Sequence, residues 1–113
     1  MIYKALCLKQ PYANWVASGK KTIETRRWKT DYRGDILICS SKTVDIPPAG
    51  FALCLVELVD IIPMEKKHEK AAGIEVYDGA YAWMLRNLRP LKSIFPVKGQ
   101  LGLFNLKVDP ELF

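Results

Sequence analysis

Lys21, Glu24 and Arg26 fall within the charged run Gly19-Lys20-Lys21-Thr22-Ile23-Glu24-Thr25-Arg26-Arg27-Trp28. An ammonium, a carboxylate and a guanidinium at this spacing support two kinds of chemistry. The first is binding without turnover. Arg26 can grip two acceptors at once and Lys21 acts as a compact positive charge. Glu24 can accept from an exocyclic amine, as carboxylates do with cytosine N4. The second is hydrolysis, with Lys21 as base and a hydroxyl of Thr22, Thr25, Ser40 or Ser41 as nucleophile. That role needs the amine's pKa to fall by several units from about 10.4. Arg26 and Lys20 push it down, and Glu24 opposes them. The same three side chains would also serve as a structural ion-pair network, which at an exposed site contributes little.

The element that must present them reads as a strand, because two threonines and an isoleucine interrupt the charges. Alternation puts Thr22, Glu24, Arg26 and Trp28 on one face and Ile23, Thr25 and Arg27 on the other. Just upstream, Lys9-Gln10-Pro11 opens a helix with proline at its first position. Gly19 ends that helix and delivers the chain into the charged strand. Tyr12, Trp15 and Val16 form its apolar stripe, which makes Trp15 either core or a stacking platform. Gln10 can donate or accept beside the cluster. Trp28 and Trp83 offer ring faces to a base, the way single-stranded RNA is read. Ser40-Ser41-Lys42 closes a short apolar strand over 36–40 and suits either a pocket mouth or a solvated turn.

The remaining chain supplies walls. Ile2–Leu8 is a first strand, and residues 30–35 a polar turn with Gly34 at its tip. Residues 45–50 form a loop stiffened by two prolines, and 51–62 the longest strand, buried on both faces and stopped by Pro63. Residues 64–72 read as a short exposed helix, and 73–79 as an irregular loop. Residues 81–91 have helical propensity, yet as a strand they would align Tyr81, Trp83 and Leu85 on one face. Pro90 and Pro96 break that segment from residues 97–100, and 101–108 form a last strand. Several short strands, one or two helices and no βαβ rhythm give an α+β fold on a small barrel or half-barrel, with residues 1–113 as one domain.

Composition narrows the function. Half of the 113 residues are hydrophobic, and no apolar run approaches the ~20 residues of a membrane span. No signal core opens the chain, so a cytoplasmic protein is expected. Cys7, Cys39 and Cys54 are far apart with no CxxC, which argues against a disulfide framework or a zinc site; they read as small buried hydrophobes. No phosphate-binding glycine loop and no HExxH is present, and His68 stands among lysines and glutamates rather than beside a nucleophile. Neither a metal nor a cofactor is expected. The net charge of +5 is uneven: residues 1–42 carry nine Lys/Arg against three Asp/Glu, and residues 43–80 three against seven. This points to an anionic partner such as nucleic acid or a nucleotide, or simply to solubility.

Gly19-x-Lys21-x-x-Glu24-x-Arg26 resembles the GxKxxExR signature of the ASCH family. The resemblance continues through Leu8-Lys9-Gln10-Pro11-Tyr12-Ala13, Arg33-Gly34-Asp35-Ile36-Leu37-Ile38, Arg89-Pro90-Leu91 and Gly99-x-x-Gly102-Leu103-Phe104. It implies a PUA-like small mixed β-barrel flanked by one or two short helices, and a strand rather than a helix over 83–91. It also implies a cleft for RNA or a nucleotide-like ligand in RNA metabolism or transcription and translation regulation. Lys21, Glu24 and Arg26 would hold the ligand, with Gln10, Trp28, Ser40 and Trp83 around them. One branch of the family resembles amidohydrolases acting on N4-acetylcytidine through the signature lysine, a threonine nucleophile and a later glutamate. Lys21 matches that lysine, and Glu24 stands in the threonine's place. Other relatives are ribonucleases, for which Lys21 and Glu24 would be the acid–base pair.

Overall fold

The computed structural model describes residues 1–112. Its strands are β1 (Ile2–Leu8), β2 (Ile23–Arg26), β3 (Gly34–Ser40), β4 (Phe51–Pro63), β5 (Tyr81–Pro96) and β6 (Leu103–Lys107). Two short helices, α1 (Tyr12–Ala17) and α2 (Glu69–Ala72), complete the set with 3-10 turns at Lys66–His68 and Pro110–Leu112. The strands form one mixed sheet in the order β2-β5-β4-β3-β1-β6. Only β1 and β3 run parallel; the other pairs are antiparallel.

The sheet curls because its two longest strands do not stay in register. The β4–β5 ladder shifts between Ala52 and Cys54, Leu55 and Glu57, and Leu58 and Asp60. Each irregularity bends the strands and adds twist. Asn87 takes a left-handed φ of 56° at one of these sites, a conformation that asparagine tolerates. The roll carries edge strand β2 round to β1. There Arg26 Nη2 donates to the Cys7 carbonyl at 2.9 Å. That carbonyl is available because β6 pairs only with residues 2–6 of β1. The result is a half-barrel, as expected.

Residues 81–91 are strand, against their helical propensity. Tyr81, Trp83 and Leu85 alternate into one core, and β4 and β2 flank them on both sides, so packing overrides local preference. Pro90 does not break this strand. It lies opposite Cys54 at a register shift, where the ladder already loses regular bonding, and β5 runs on to Pro96.

Hydrophobic burial occupies both faces of the sheet. One core gathers Leu6, Leu8, Val16, Ile36, Ile38, Val56 and Trp83 beneath α1. The other joins Ala5, Leu37, Cys39, Leu55, Leu91 and Phe104. β1 and β3 contribute to both, which is why they read as apolar runs without clean alternation. A third cluster of Ile23, Met64, Ala72, Ala80 and Ala82 seats α2 against β2.

Four local expectations change. Pro11 precedes α1 rather than beginning it, although Gly19 ends it at φ 82° as anticipated. Of the Tyr12, Trp15 and Val16 stripe only Val16 is fully inside; Trp15 is half-buried beneath the Lys20 ammonium, 4.5 Å above its ring. Residues 64–72 are not simply exposed, since Met64, His68 and Ala72 are buried and His68 Nδ1 accepts the Glu65 N–H at 2.9 Å. Cys39 and Cys54 are buried, whereas Cys7 is partly exposed. Among the described residues, no helix is long and apolar enough to cross a membrane.

Candidate functional site

The charged segment is clamped before it becomes strand. The Lys21 N–H donates to the Trp15 carbonyl, the Thr22 N–H to the Ala71 carbonyl, and Leu85 N–H to the Thr22 carbonyl. Both helices and β5 therefore fix where Lys21 points. β2 then pairs with β5, with Glu24 opposite Trp83 and Arg26 opposite Tyr81. Ile23 goes into the third cluster, while Glu24 and Arg26 turn toward the hollow of the half-barrel.

The three signature side chains converge there. Lys21 Nζ lies 3.5 Å from Glu24 Oε1, and Arg26 Nη2 lies 2.9 Å from Glu24 Oε2. Arg26 Nε also donates to Glu24 Oε2 at 3.0 Å, so guanidinium and carboxylate meet through two N–H groups. Lys21 and Glu24 are only 3% and 7% exposed. The Lys21 ammonium donates to the Ala72 carbonyl and lies 5.5 Å from the Tyr12 ring centre. An ammonium has three N–H donors, so donor capacity remains toward the cavity. Burial pushes the Lys21 pKa below its ordinary value; the Glu24 carboxylate opposes this and the Arg26 guanidinium adds to it.

The cavity has a volume of about 810 Å³. Its floor is β2 from Glu24 to Arg26, together with Lys21 and Cys7. Lys9 and Tyr12 form one wall, Ser40 to Thr43 another, and the loop from Val97 to Gly102 the third. Five lysine and arginine side chains (Lys9, Lys21, Arg26, Lys42 and Lys98) face a single carboxylate, Glu24. Thr25 and Arg26 also border a shallower depression of about 410 Å³, where the Arg27 guanidinium lies 5.2 Å from the Tyr77 ring centre. Among the described residues no three His, Cys, Asp or Glu side chains gather as metal ligands.

Of the residues singled out from the sequence, Lys21, Glu24, Arg26 and Ser40 line this cavity. The Ser40 hydroxyl is already committed, accepting from Phe51 N–H at 3.1 Å and donating to its carbonyl at 3.3 Å. Gln10 lies outside the lining. It is buried, donating to Asn14 Oδ1 and to the Pro48 carbonyl while accepting the Asn14 N–H, so it ties the start of α1 to the proline loop. Trp83 is wholly buried and presents no ring face to a ligand, which corrects its reading as a stacking platform. Trp28 is not among the lining residues but is exposed, with its ring beside Gly102 of the third wall; it stands edge-on to Trp83 with ring centres 4.8 Å apart, and its carbonyl accepts the Trp83 indole N–H. Of the candidate nucleophiles, Thr25, Ser40 and Ser41 line the cavity and Thr22 faces outward.

Sequence reasoning missed Cys7, Lys9, Tyr12 and the loop over residues 97–102 as lining residues. The Gly99-x-x-Gly102 spacing beside Lys98 was the available signal for the loop. Nothing local marks Lys9 or Cys7, because only the curl brings β1 next to β2.

A curled mixed sheet with few short helices and a polar hollow at its open seam defines a PUA-like domain. The chain belongs to the ASCH domain family, whose pattern it matches over residues 6–95. It is similar to the ASCH protein of Zymomonas mobilis, whose crystal structure superposes with a TM-score of 0.70 at 18% identity, covering 93% of this chain and 87% of that one. It is also 25% identical, over an alignment of 126 positions counting gaps, to activating signal cointegrator 1 of Mus musculus and of Homo sapiens. That alignment covers 89% of this chain but 22% of each cointegrator, so the likeness concerns about a fifth of those proteins.

Proposed function

We propose that the protein binds single-stranded RNA or a nucleotide-like anion in the cavity floored by Lys21, Glu24 and Arg26. The observation that carries this reading is the lining itself, in which five basic side chains converge with one carboxylate. Glu24 holds Arg26 through two N–H groups and draws Lys21 into the same hollow, so the cations are positioned before a ligand arrives. Lys9, Lys42 and Lys98 extend the positive field along the rim, where phosphate oxygens would replace counterions. Tyr12 supplies an apolar ring in the same wall. Family membership is consistent with an RNA-related role.

Anisotropy titration of a labelled single-stranded oligoribonucleotide tests the proposal. Saturable binding at low salt is expected, weakened by about tenfold or more by Arg26→Gln, since each 1.4 kcal/mol is a factor of ten. Absence of saturable binding at low salt overturns the RNA form of the reading. A titration with a mononucleotide then tests the smaller ligand.

One observation favours turnover as a second reading: burial lowers the pKa of Lys21, as a general base requires, and the Thr25 hydroxyl lines the same cavity. Incubation with N4-acetylcytidine and with labelled RNA tests it. Product formation that disappears in Lys21→Ala supports the reading, and product formation that survives removes Lys21 from the mechanism.

A further inference from the structure

Thr25 is only 9% exposed, yet the sheet leaves its main chain without a partner. The Leu85 N–H donates to the Thr22 carbonyl, so Thr22 faces β5. Residues that bond to a neighbour alternate along an antiparallel strand, which directs the N–H and C=O of Glu24 and Arg26 to β5 as well. The N–H and C=O of Ile23 and Thr25 then point the other way. On that side no strand follows, because β2 is the edge of the sheet. At the Ile23 end α2 packs against the edge, with the Thr22 N–H on the Ala71 carbonyl. Among the described residues, no group beyond the ladder bonds to Thr25. A nearly buried donor and acceptor left open this way stand ready for a ligand's polar edge.

That open edge is the divide between the main cavity and the shallower depression, since Thr25 and Arg26 border both. The loop after α2 runs alongside it. Ile74 lines the cavity and Tyr77 the depression, and three residues of chain span at most about 11 Å. Tyr77 is held in place by the third cluster, and the Arg27 guanidinium lies over its ring. A guanidinium has five N–H donors, and among the described residues no acceptor takes one from Arg27. Arg26 spends Nε and Nη2 on Glu24 and the Cys7 carbonyl, which leaves Nη1 for the divide. Glu75 and Asp78 belong to the same loop as Tyr77, but both are exposed and border neither hollow.

We infer that the depression is a second nucleotide subsite, so that the ligand is a single strand crossing the edge of β2 rather than a lone nucleotide. The inference rests on the anion-binding reading above and narrows its ligand to a polymer. One nucleotide occupies the cavity over Lys21 and Arg26. The backbone passes Thr25, whose N–H and Arg26 Nη1 can donate to a phosphate oxygen. The next base stacks against the Arg27–Tyr77 pair, because unstacked bases take both aromatic rings and guanidinium planes as platforms. Arg27 also neutralises the phosphate that follows. The shared border supplies the continuity, and a mononucleotide fills only the first half of it.

The test compares two probes on the full chain: uridine monophosphate by calorimetry and a labelled oligouridylate by anisotropy. The oligomer is expected to bind at least about tenfold more tightly. Arg27→Gln is expected to weaken the oligomer about fivefold or more and to reduce its slope of log K against log salt by about 0.7. Tyr77→Leu keeps apolar bulk on the third cluster while removing the ring, and is expected to cost a similar factor. Both variants are expected to narrow the oligomer's advantage over the monophosphate. Thermal denaturation accompanies them; if Tyr77→Leu melts lower, the exposed Arg27 decides. Lys66→Gln removes the same charge elsewhere and serves as the control. Equal affinity for the two probes overturns the second subsite and leaves the anion-binding reading standing. So does an Arg27→Gln loss that is shared equally by both probes or matched by Lys66→Gln. If neither probe binds at low salt, the functional reading fails and the subsite falls with it.

Discussion

Lys21 shows what burial does to a single charge. Its amine is almost wholly enclosed, and its lowered pKa reflects lost hydration that Glu24 offsets only in part. The protonated amine is the form that attracts an anion, and it predominates below the folded-state pKa. Ligand affinity is therefore expected to fall on the alkaline side, beginning below the 10.5 of an ordinary lysine, and Lys21→Met should flatten that limb of the profile. Stability moves the other way. Between the lowered folded value and 10.5 the unfolded chain holds the proton more tightly, so stability rises with pH in that window. Glu24 makes a different prediction. It is the carboxylate between two cations, and Glu24→Gln leaves both facing each other without compensation. A loss of about 1–3 kcal/mol is expected by urea denaturation, below the ~3–5 kcal/mol of a fully buried pair because Arg26 is partly exposed. An unchanged midpoint would show that the carboxylate does not hold the cluster together.

At the scale of elements, the site depends on how α2 meets the chain leaving α1. Lys21 donates to the carbonyl of Ala72, the last residue of α2, and Gly73 follows with φ 73°. A Cβ at Gly73 would meet the Trp15 ring at 2.9 Å, in a left-handed conformation that L side chains avoid. Gly73→Ala is therefore expected to destabilise by about 1–2 kcal/mol and to weaken ligand binding without touching the cavity. Thermal denaturation beside the oligoribonucleotide titration checks both effects. The strands carry their own test. Asp35 of β3 and Arg89 of β5 reach across β4 to form a two-point ion pair at 2.6 and 3.1 Å, and both are about 40% exposed. A double-mutant cycle with Asp35→Asn and Arg89→Gln should give a coupling of about 0.5–1 kcal/mol. These elements also show what local sequence can carry. β1, β3 and β4 were legible from their apolar runs, and Gly19 from its place after a helical stripe. Glu24 and Arg26 were legible as neighbours from alternation within one strand, whereas Lys21, of the opposite parity and upstream of β2, joins them through the bonds that tie residues 21 and 22 to Trp15, Ala71 and Leu85. Pro90 inside β5 was not, because a proline is tolerated there only through a register shift set by β4. The shielding of Trp83 was hidden for the same reason, since Trp28, 55 positions away and itself exposed, covers it only in the folded sheet.

The whole molecule sorts its charge by folding. Residues 1–42 bring nine basic side chains, but the fold spends them differently. Arg33 pairs with Asp60, and Lys4, Lys20, Arg27 and Lys29 lie over tyrosine or tryptophan rings. Lys9 and Lys42 join Lys98, from far along the chain, around the cavity that Lys21 and Arg26 floor. The acidic middle of the chain supplies α2 and its neighbours, so Lys66, Lys67 and Lys70 sit among Glu65 and Glu69. If attraction came only from the net charge of +5, removing any three lysines would weaken binding alike. If it comes from the cavity, position decides. Each phosphate neutralised on a single strand adds about −0.7 to the slope of log K against log salt, so three rim lysines account for about −2. Replacing Lys9, Lys42 and Lys98 together by Gln is expected to remove that share of the slope. Replacing Lys66, Lys67 and Lys70 removes the same formal charge and should leave the slope nearly unchanged. Equal losses from the two triple variants would mean that the ligand senses the molecule's charge at a distance, and that the hollow of the half-barrel does not select it.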